Sequence, residues 1–303
     1  MPTFSRRQFL KAGLIGATAA TVPATMLNGC VTMEKRKHSI SIDNIMSSGA
    51  RVMWIAAHPD DESLIGSIVA KSSLAYRNPL HFLLLTRGDG GECCLPEGCE
   101  PSLADIREVE MKKVAKLYHA DLQQESYYNA PLPVESFPKR HVLAGMWTDQ
   151  KDPIRVIAKA IREFKPNLVL TFAPVNGFTG HPEHELASRF TMAGIRMAAD
   201  GKTSIGSLQT HRVAYTYFAV NKYWPMVMLG MGDPGPVTEI WDATQPCVNG
   251  WQCRELMARF SNAHKTQDRD MGNVRSATKW LFKKIYLQNV NPFTRIYDPF
   301  EVV

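Results

Sequence analysis

The feature that most narrows the choice of folds is a series of short, uncharged runs, each followed by a segment with helical periodicity. Val52–Ala57 (VMWIAA) is wholly apolar, as a strand buried on both faces of a parallel sheet requires. Leu80–Thr86 (LHFLLLT) and Asn167–Phe172 (NLVLTF) read the same way, and Arg212–Val220 (RVAYTYFAV) reads as a further strand. Between them, apolar residues recur at helical spacing from Leu64 to about Ala75, in Pro153–Phe164, in Pro182–Ala198 and in Gly250–His264. A helix from Ser102 to Tyr118 presents Ile106, Val109, Val114 and Leu117 as its apolar face, with Ser102 and Asp105 at capping spacing. Strands alternating with helices imply right-handed crossovers. The reading is therefore α/β: a single Rossmann-like domain, a mostly parallel sheet with helices on both faces. A chain of 303 residues suits one such core. Trp224–Pro236, rich in Pro, Gly and Met, reads as a surface loop or lid, and the basic then aromatic tail after Met271 has no readable place.

The first thirty residues stand apart from this pattern. Arg6-Arg7 precedes a stretch of apolar and small residues from Ala12 to Leu27, the look of a twin-arginine export signal. It closes on Leu27-Asn28-Gly29-Cys30, which resembles a bacterial lipoprotein cleavage site with Cys30 as the lipidated residue. The segmentation expected is 1–30 signal, 31–49 tether, and 50–303 domain, with a C-terminal extension after about residue 270. The leader carries three cations and no acid, so the formal charge of +6 becomes +3 without it. No concentrated basic face of the kind nucleic acid requires is left. The expectation is a protein exported by the twin-arginine machinery, periplasmic or at the cell surface, touching the membrane only through a lipid anchor at Cys30. No run reaches the roughly 18–20 apolar residues of a spanning helix.

Beyond Cys30, five cysteines remain: Cys93, Cys94, Cys99, Cys247 and Cys253. An oxidising compartment favours pairing among them. The Cys93-Cys94…Cys99 cluster is read as a disulfide-pinned loop, because no nearby histidine or second cysteine pair completes a four-ligand zinc set.

Ligands of such sheets bind beyond the carboxyl ends of the strands, and two loops there share one grammar. His58-Pro59-Asp60-Asp61-Glu62 follows the first strand, and His181-Pro182-Glu183-His184-Glu185 follows the Asn167–Phe172 strand. Proline at the first helical position and acids in the first turn are ordinary helix-start chemistry. Histidine is not, since its cationic form is unfavourable at that end of the helix dipole. Three histidines in two such loops point to a metal. A catalytic zinc takes three nitrogen or carboxylate ligands and leaves one position open. His58 and Asp61 can be aimed at one point by a single turn, and His184 closes the triangle from the other loop. Asp60 then stands beside the open position as general base.

Ala57-His58-Pro59-Asp60-Asp61-Glu62 resembles the signature of the PIG-L/LmbE-like deacetylases, the family of N-acetylglucosaminyl-phosphatidylinositol de-N-acetylase. The resemblance extends over roughly residues 50–267. It takes in the turn Thr86–Glu92, Arg107 with Glu110 on the next helix, and His181-Pro182-Glu183-His184, with weaker likenesses at Asp242 and His264–Gln267. Glu183 stands where that family more often has aspartate, and the cysteine-rich insert at 93–99 is a departure beside the expected substrate mouth. The resemblance implies one zinc ion on His58, Asp61 and His184, and Asp60 as base. It further implies that His181 polarises the oxyanion or serves as acid, and that Arg107 holds the sugar. The function expected is a zinc-dependent N-deacetylase hydrolysing the acetamide of an N-acetylated amino sugar or glycoconjugate outside the cytoplasm. The alternatives are a lipid-anchored carbohydrate-binding protein without turnover, and a zinc amidase acting on a non-sugar N-acyl substrate. Glu62 and Glu185 are read as supporting or capping residues. Trp224 and Trp241 are candidates for stacking on a sugar.

Overall fold

The structure, a computed structural model, describes residues 40–302. The twin-arginine motif and Cys30 lie outside the described residues. In chain order the elements are α1 (Ile42–Ser47), β1 (Val52–Ala56), α2 (Gly66–Ala70), β2 (Leu80–Leu84), α3 (Leu103–Leu117), β3 (Ala120–Gln124), α4 (Arg140–Gln150) and α5 (Pro153–Phe164). They continue with β4 (Leu168–Phe172), α6 (Pro182–Ala199), β5 (Tyr215–Ala219), α7 (Trp224–Met228), β6 (Glu239–Asp242), α8 (Cys253–Phe260), α9 (Asp268–Thr278) and β7 (Lys284–Val290). Among the described residues no helix is long and apolar enough to cross a membrane.

The strands form one seven-stranded sheet in the order β3-β2-β1-β4-β5-β7-β6. The first five are parallel, and β7 runs antiparallel to both β5 and β6. The chain winds outward from β1 through β2 to β3, then returns to pair β4 on the other side of β1. The β1/β4 junction is thus the point where the winding direction reverses, and a crevice opens beyond the carboxyl ends of those strands.

Side chains of β1 and of Ala57 just after it alternate between two cores. Val52, Trp54 and Ala56 pack with residues of α1, α2, α3 and α8; Met53, Ile55 and Ala57 pack with residues of α4, α5 and α6. Burial on both faces is why the run carries no charge. α5 begins at Pro153 with Asp152 as N-cap, its carboxylate accepting from the Ile154 and Arg155 amides at 2.9 and 3.2 Å.

Several expectations need correcting. The stretch read as a tether, 31–49, belongs to the fold from Ile42 onward: Ile42, Ile45 and Met46 at helical spacing are buried in the core. The extension after residue 270 is no appendage, because β7 inserts between β5 and β6 and is the strand through which β6 joins the sheet. The helix read from Leu64 to Ala75 is broken into a 3-10 turn, α2 and a wider turn, with Ser73 Oγ bonding back to Val69 O at 3.0 Å. In α3 the Ser102 cap is present, but the buried face carries Arg107, Glu110, Met111 and Val114, and Val109 is 66% exposed. Cys93 and Cys99 form a disulfide, while Cys94, Cys247 and Cys253 are free thiols.

Candidate active site

β1 ends at Ala56, and the chain then turns sharply through His58-Pro59-Asp60-Asp61. Asp60 sits in the left-handed region at φ 90°, a conformation unusual for a residue other than glycine. Two carboxylates hold this turn. Asp61 Oδ2 accepts from the amides of Ala57 and His58 at 3.1 and 2.9 Å, and Glu62 Oε2 accepts from the Asp60 amide at 3.1 Å. Glu62 is in turn fixed by His264, whose Nε2 lies 2.8 Å from Glu62 Oε1, with both residues fully buried.

The second loop leaves β4 and enters α6 at Pro182, with His181 as N-cap. His181 Nδ1 accepts from the Glu183 amide at 3.2 Å. Gly177, at φ 55°, passes so close to this turn that a Cβ there would lie 2.6 Å from His184 Cβ. Only glycine supplies both the positive φ and the approach.

The two loops bring His58, Asp61 and His184 to one point. His58 Nδ1 lies 3.0 Å from His184 Nε2 and 3.7 Å from Asp61 Oδ2; His184 Nε2 lies 2.9 Å from Asp61 Oδ1. The outer nitrogens are engaged elsewhere. His58 Nε2 meets Glu183 Oε2 at 2.6 Å, and His184 Nδ1 meets Gly177 O at 2.9 Å and Thr179 Oγ1 at 3.1 Å. With an N–H donated outward from each ring, the inner nitrogens face each other as lone pairs, and only a proton or a cation between them makes that contact favourable. Tetrahedral zinc ligands lie roughly 3.3–3.5 Å apart, and the three separations here bracket that value. The donor set fits zinc.

A second grouping is possible. Ligand atoms of His58, His181 and His184 all lie within 4.8 Å of one another. In that grouping His181 would stand in place of Asp61; the set with Asp61 has its separations of 2.9–3.7 Å around the zinc edge. The His181 ring stands 4.8 Å from that of His58 and 4.7 Å from that of His184, flanked by Phe137 at 5.0 Å.

The electrostatics follow from burial and close neighbours. Burial works against charge on His58, but Asp61 and Glu183 outweigh it and lift the imidazole to about 9 before any metal competes for its lone pair. Burial likewise opposes ionisation of Asp61, yet His184 and His58 hold its carboxyl well below the ordinary value. Asp60 moves the other way. Burial pushes it up, Arg107 pulls it down, Asp61 adds to the rise, and the carboxyl finishes above its ordinary value.

Arg107 reaches this site from α3 and is buried. Its Nη2 donates to Asp60 Oδ2 at 2.9 Å and to Pro59 O at 2.5 Å, and its Nη1 donates to Gly88 O at 2.8 Å. These three bonds tie Asp60 to the turns at Pro59 and Gly88. Arg107 also lines the same cavity as Asp60, His58, Asp61, His181 and His184.

The supporting roles of three residues were not readable from the sequence. Glu183 is wholly buried and bonds His58, Asn129 Nδ2 at 2.6 Å and the Ala130 amide at 2.7 Å. Asn129 lies on an irregular segment with no periodicity to betray it. Glu110 accepts from the Thr266 amide and hydroxyl at 2.8 and 2.6 Å, which fastens the segment bearing His264 to α3. Glu110 and the His264–Gln267 stretch were marked in the sequence only by the family resemblance, and nothing there paired them. Asp242, by contrast, is exposed on β6 and bonds Thr244, and Trp241 is core. Trp224 is 67% exposed, and Glu185 pairs with Arg140 at 2.6 Å.

The chain was compared with known proteins. Residues 53–195 match the PIG-L family, described as GlcNAc-PI de-N-acetylase. A 1D-myo-inositol 2-acetamido-2-deoxy-alpha-D-glucopyranoside deacetylase of Catenulispora acidiphila is 28% identical over 181 residues, covering 55% of this chain and 59% of that one. A probable N-acetyl-alpha-D-glucosaminyl L-malate deacetylase of Bacillus anthracis is 33% identical over 146 residues, covering 46% and 57%. The chain thus spans somewhat under two thirds of these relatives. Among solved structures, N,N'-diacetylchitobiose deacetylase of Pyrococcus horikoshii aligns with a TM-score of 0.56 at 15% identity, over 84% of this chain and 88% of that one. The hydratase GalB of Pseudomonas putida aligns with a TM-score of 0.55 at 15% identity, over 82% and 98%. A hydratase on the same fold means that the fold by itself does not name a reaction. The matched segment, residues 53–195, contains both histidine loops.

Proposed function

We propose that the protein is a zinc-dependent N-deacetylase that hydrolyses the acetamide of an N-acetylated amino sugar or glycoconjugate. The observation that carries this reading is the convergence of His58 Nδ1, His184 Nε2 and an Asp61 carboxylate oxygen, with Asp60 at the rim of the same cavity. The curated relatives are named as deacetylases of acetamido sugars, which supports the substrate class.

His58, Asp61 and His184 would hold the ion. Zinc bound there would act as a Lewis acid on the acetamide carbonyl and lower the pKa of water in the open position. Asp60 takes the proton of the attacking water; its raised pKa brings its basicity toward the working pH. Arg107 keeps that carboxylate aimed into the cavity by gripping Pro59 O and Gly88 O with the same guanidinium. His181, which lines the same cavity as Asp60, would donate to the carbonyl oxygen as negative charge develops, or protonate the departing amine. Its Nδ1 accepts from the Glu183 amide, which orients the ring. Glu183 fixes the ring of His58 from behind, the usual task of a carboxylate behind a metal-binding imidazole.

For location, the reading is export by the twin-arginine route, with lipid anchoring at Cys30. It rests on residues 1–30 of the sequence. The Cys93–Cys99 disulfide supports an oxidising compartment.

The test is acetate release from N-acetylglucosamine-containing substrates by zinc-loaded protein, set beside Asp60→Ala. The variant should keep its zinc and lose about 10²–10⁴-fold in turnover. Retained turnover removes Asp60 from its role. Release from N-acyl amino acids but from no sugar would make the protein an amidase of another class, and sugar binding indifferent to chelation with no product would make it a binding protein.

A further inference from the structure

Cys247 and Cys253 take no part in the site, yet the chain is folded so that they meet. Val248-Asn249-Gly250-Trp251 is a tight turn, closed by the Trp251 amide donating to Val248 O at 3.0 Å. Its central residues both have positive φ, 53° and 77°, a backbone that Asn-Gly adopts readily. The turn lays the chain back on itself. Pro246 bridges antiparallel to Gln252, the Cys247 amide donates to Trp251 O at 2.8 Å, and the Cys253 amide donates to Gln245 O at 3.1 Å. Each cysteine therefore follows a partner of that bridge, and the Cys253 thiol donates to the Cys247 sulfur.

The two thiols differ in environment. Cys247 is partly exposed, whereas Cys253 opens α8 and is buried. The bond from Cys253, together with the Lys71 ammonium, holds the Cys247 thiol below its ordinary value against the effect of burial. The same bond and burial push the Cys253 thiol up. Lys71 is itself fixed there by donating to Pro246 O at 2.9 Å. A more acidic thiol at the surface with a buried thiol behind it is the arrangement of an attacking and a resolving cysteine. Among the described residues no third metal-ligating side chain is grouped with this pair, which favours thiol chemistry over a metal.

We propose that Cys247 and Cys253 are a redox-active pair that a disulfide oxidant converts into a further disulfide of this chain. The Cys247 thiolate attacks one sulfur of the oxidant, whose S–S bond breaks, and the first leaving sulfur departs as a thiolate and takes up a proton. Cys253 then loses its proton and attacks the Cys247 sulfur, and the second half of the oxidant leaves as a thiol. The two cysteines are oxidised and the oxidant is reduced to two thiols. The new bond fastens the hairpin to the start of α8. That helix packs on α2, where Met257 closes against Gly66, and the chain beyond it continues to His264, the partner of Glu62. Neither step involves zinc or an acetamide, so failure of the deacetylase reading leaves this pair untouched.

The experiment incubates full-length protein with oxidised or with reduced glutathione, alkylates the remaining thiols, and maps the peptides by mass spectrometry. With oxidised glutathione, the peptide carrying both cysteines should become lighter by two hydrogens and take up no alkyl label. With reduced glutathione it should take up two. Two labels in both arms, or a glutathione adduct that persists on wild-type Cys247, overturns the proposal. The variants assign the roles. Cys253→Ser should trap the glutathione adduct on Cys247, and Cys247→Ser should leave Cys253 with at least about ten-fold less adduct, as its burial and raised pKa require. An adduct that forms as readily on Cys253 overturns the assignment of Cys247 as the attacking thiol. Closing so short a loop should raise the melting temperature of the oxidised wild type by about 5–10 °C. Cys247→Ser should show no such rise, and a wild-type shift no larger than the variant's overturns the clamp on α8.

Discussion

Replacing Glu183 with glutamine exchanges one oxygen for an NH2 group at a buried point where three donors converge. In the wild type, Oε2 accepts from His58 Nε2 and from Asn129 Nδ2, both at 2.6 Å, and Oε1 accepts from the Ala130 amide at 2.7 Å. Glutamine has a single acceptor oxygen, so it can serve the His58 and Asn129 position or the Ala130 position, but not both. Whichever it abandons, an N–H is left facing an N–H in a site with no exposure. A buried donor without a partner costs about 1–3 kcal/mol, and the substitution should lower unfolding free energy by that amount. The effect on zinc is separate. Loss of the charged acceptor weakens the electron donation through the His58 ring and frees its orientation. Removing such a partner typically costs 10–100-fold in metal affinity. The assay is competition for zinc against a chromophoric chelator at fixed pH, with thermal unfolding of the same preparations. Zinc affinity within two-fold of wild type, in a variant whose stability has fallen as described, would refute the claim that Glu183 supports a metal ligand. It would leave Glu183 as a structural residue only.

His181→Ala should lower kcat for acetamide hydrolysis by about 10²–10³-fold with zinc stoichiometry preserved, whereas loss of the ion would make His181 a ligand. Arg107→Lys cannot grip Asp60, Pro59 O and Gly88 O with one point charge, so thermal unfolding should report about 1–3 kcal/mol less stability; an unchanged melting temperature contradicts the clamp. Asp233 gives a pH signature away from the metal. Burial pushes its carboxyl up to about 7, only partly offset by the Asn221 amide at 2.6 Å and by Lys222. The folded state therefore binds the proton more tightly than the unfolded chain, and this group's contribution falls as pH rises from about 4 to about 7, by at most about 4 kcal/mol. Asp233→Asn should raise the melting temperature at pH 8 and leave it nearly unchanged at pH 4; the same shift at both would refute the reading.

The runs around β1, β2 and β4 were legible because strands covered on both faces exclude charge, and that single requirement is written directly in residue type. The two histidine loops were legible for a chemical reason, since nothing in helix initiation asks for histidine. What stayed hidden was set by partners distant in sequence. α3 looked like an ordinary amphipathic helix with Val109 inward, but Asp60 and Thr266 recruit Arg107 and Glu110 to the buried side, and the helix rotates to suit them. β7 carries Lys284, Gln288 and Asn289 because its faces are only partly covered, so it lacks the apolar signature of the central strands. Its place is decided by pairing with β5 and β6, which no local pattern encodes. Glu183 was passed over because a first-turn acid has a sufficient local explanation, and only the fold brings His58 to it. The Cys93–Cys99 disulfide agrees with the pinned loop read from the lack of a completing zinc-ligand set, though the sequence left the pairing open, and Cys94, Cys247 and Cys253 are thiols.

The most direct test of the account is an anomalous-scattering map at the zinc edge from crystals of the zinc-loaded protein. The account predicts one peak per chain, about 2.0–2.2 Å from His58 Nδ1, His184 Nε2 and an Asp61 carboxylate oxygen, with Asp60 and His181 beside it and unbonded. A peak coordinated by His58, His181 and His184 with Asp61 outside bonding distance would contradict it, as would the absence of any peak at the β1/β4 crevice.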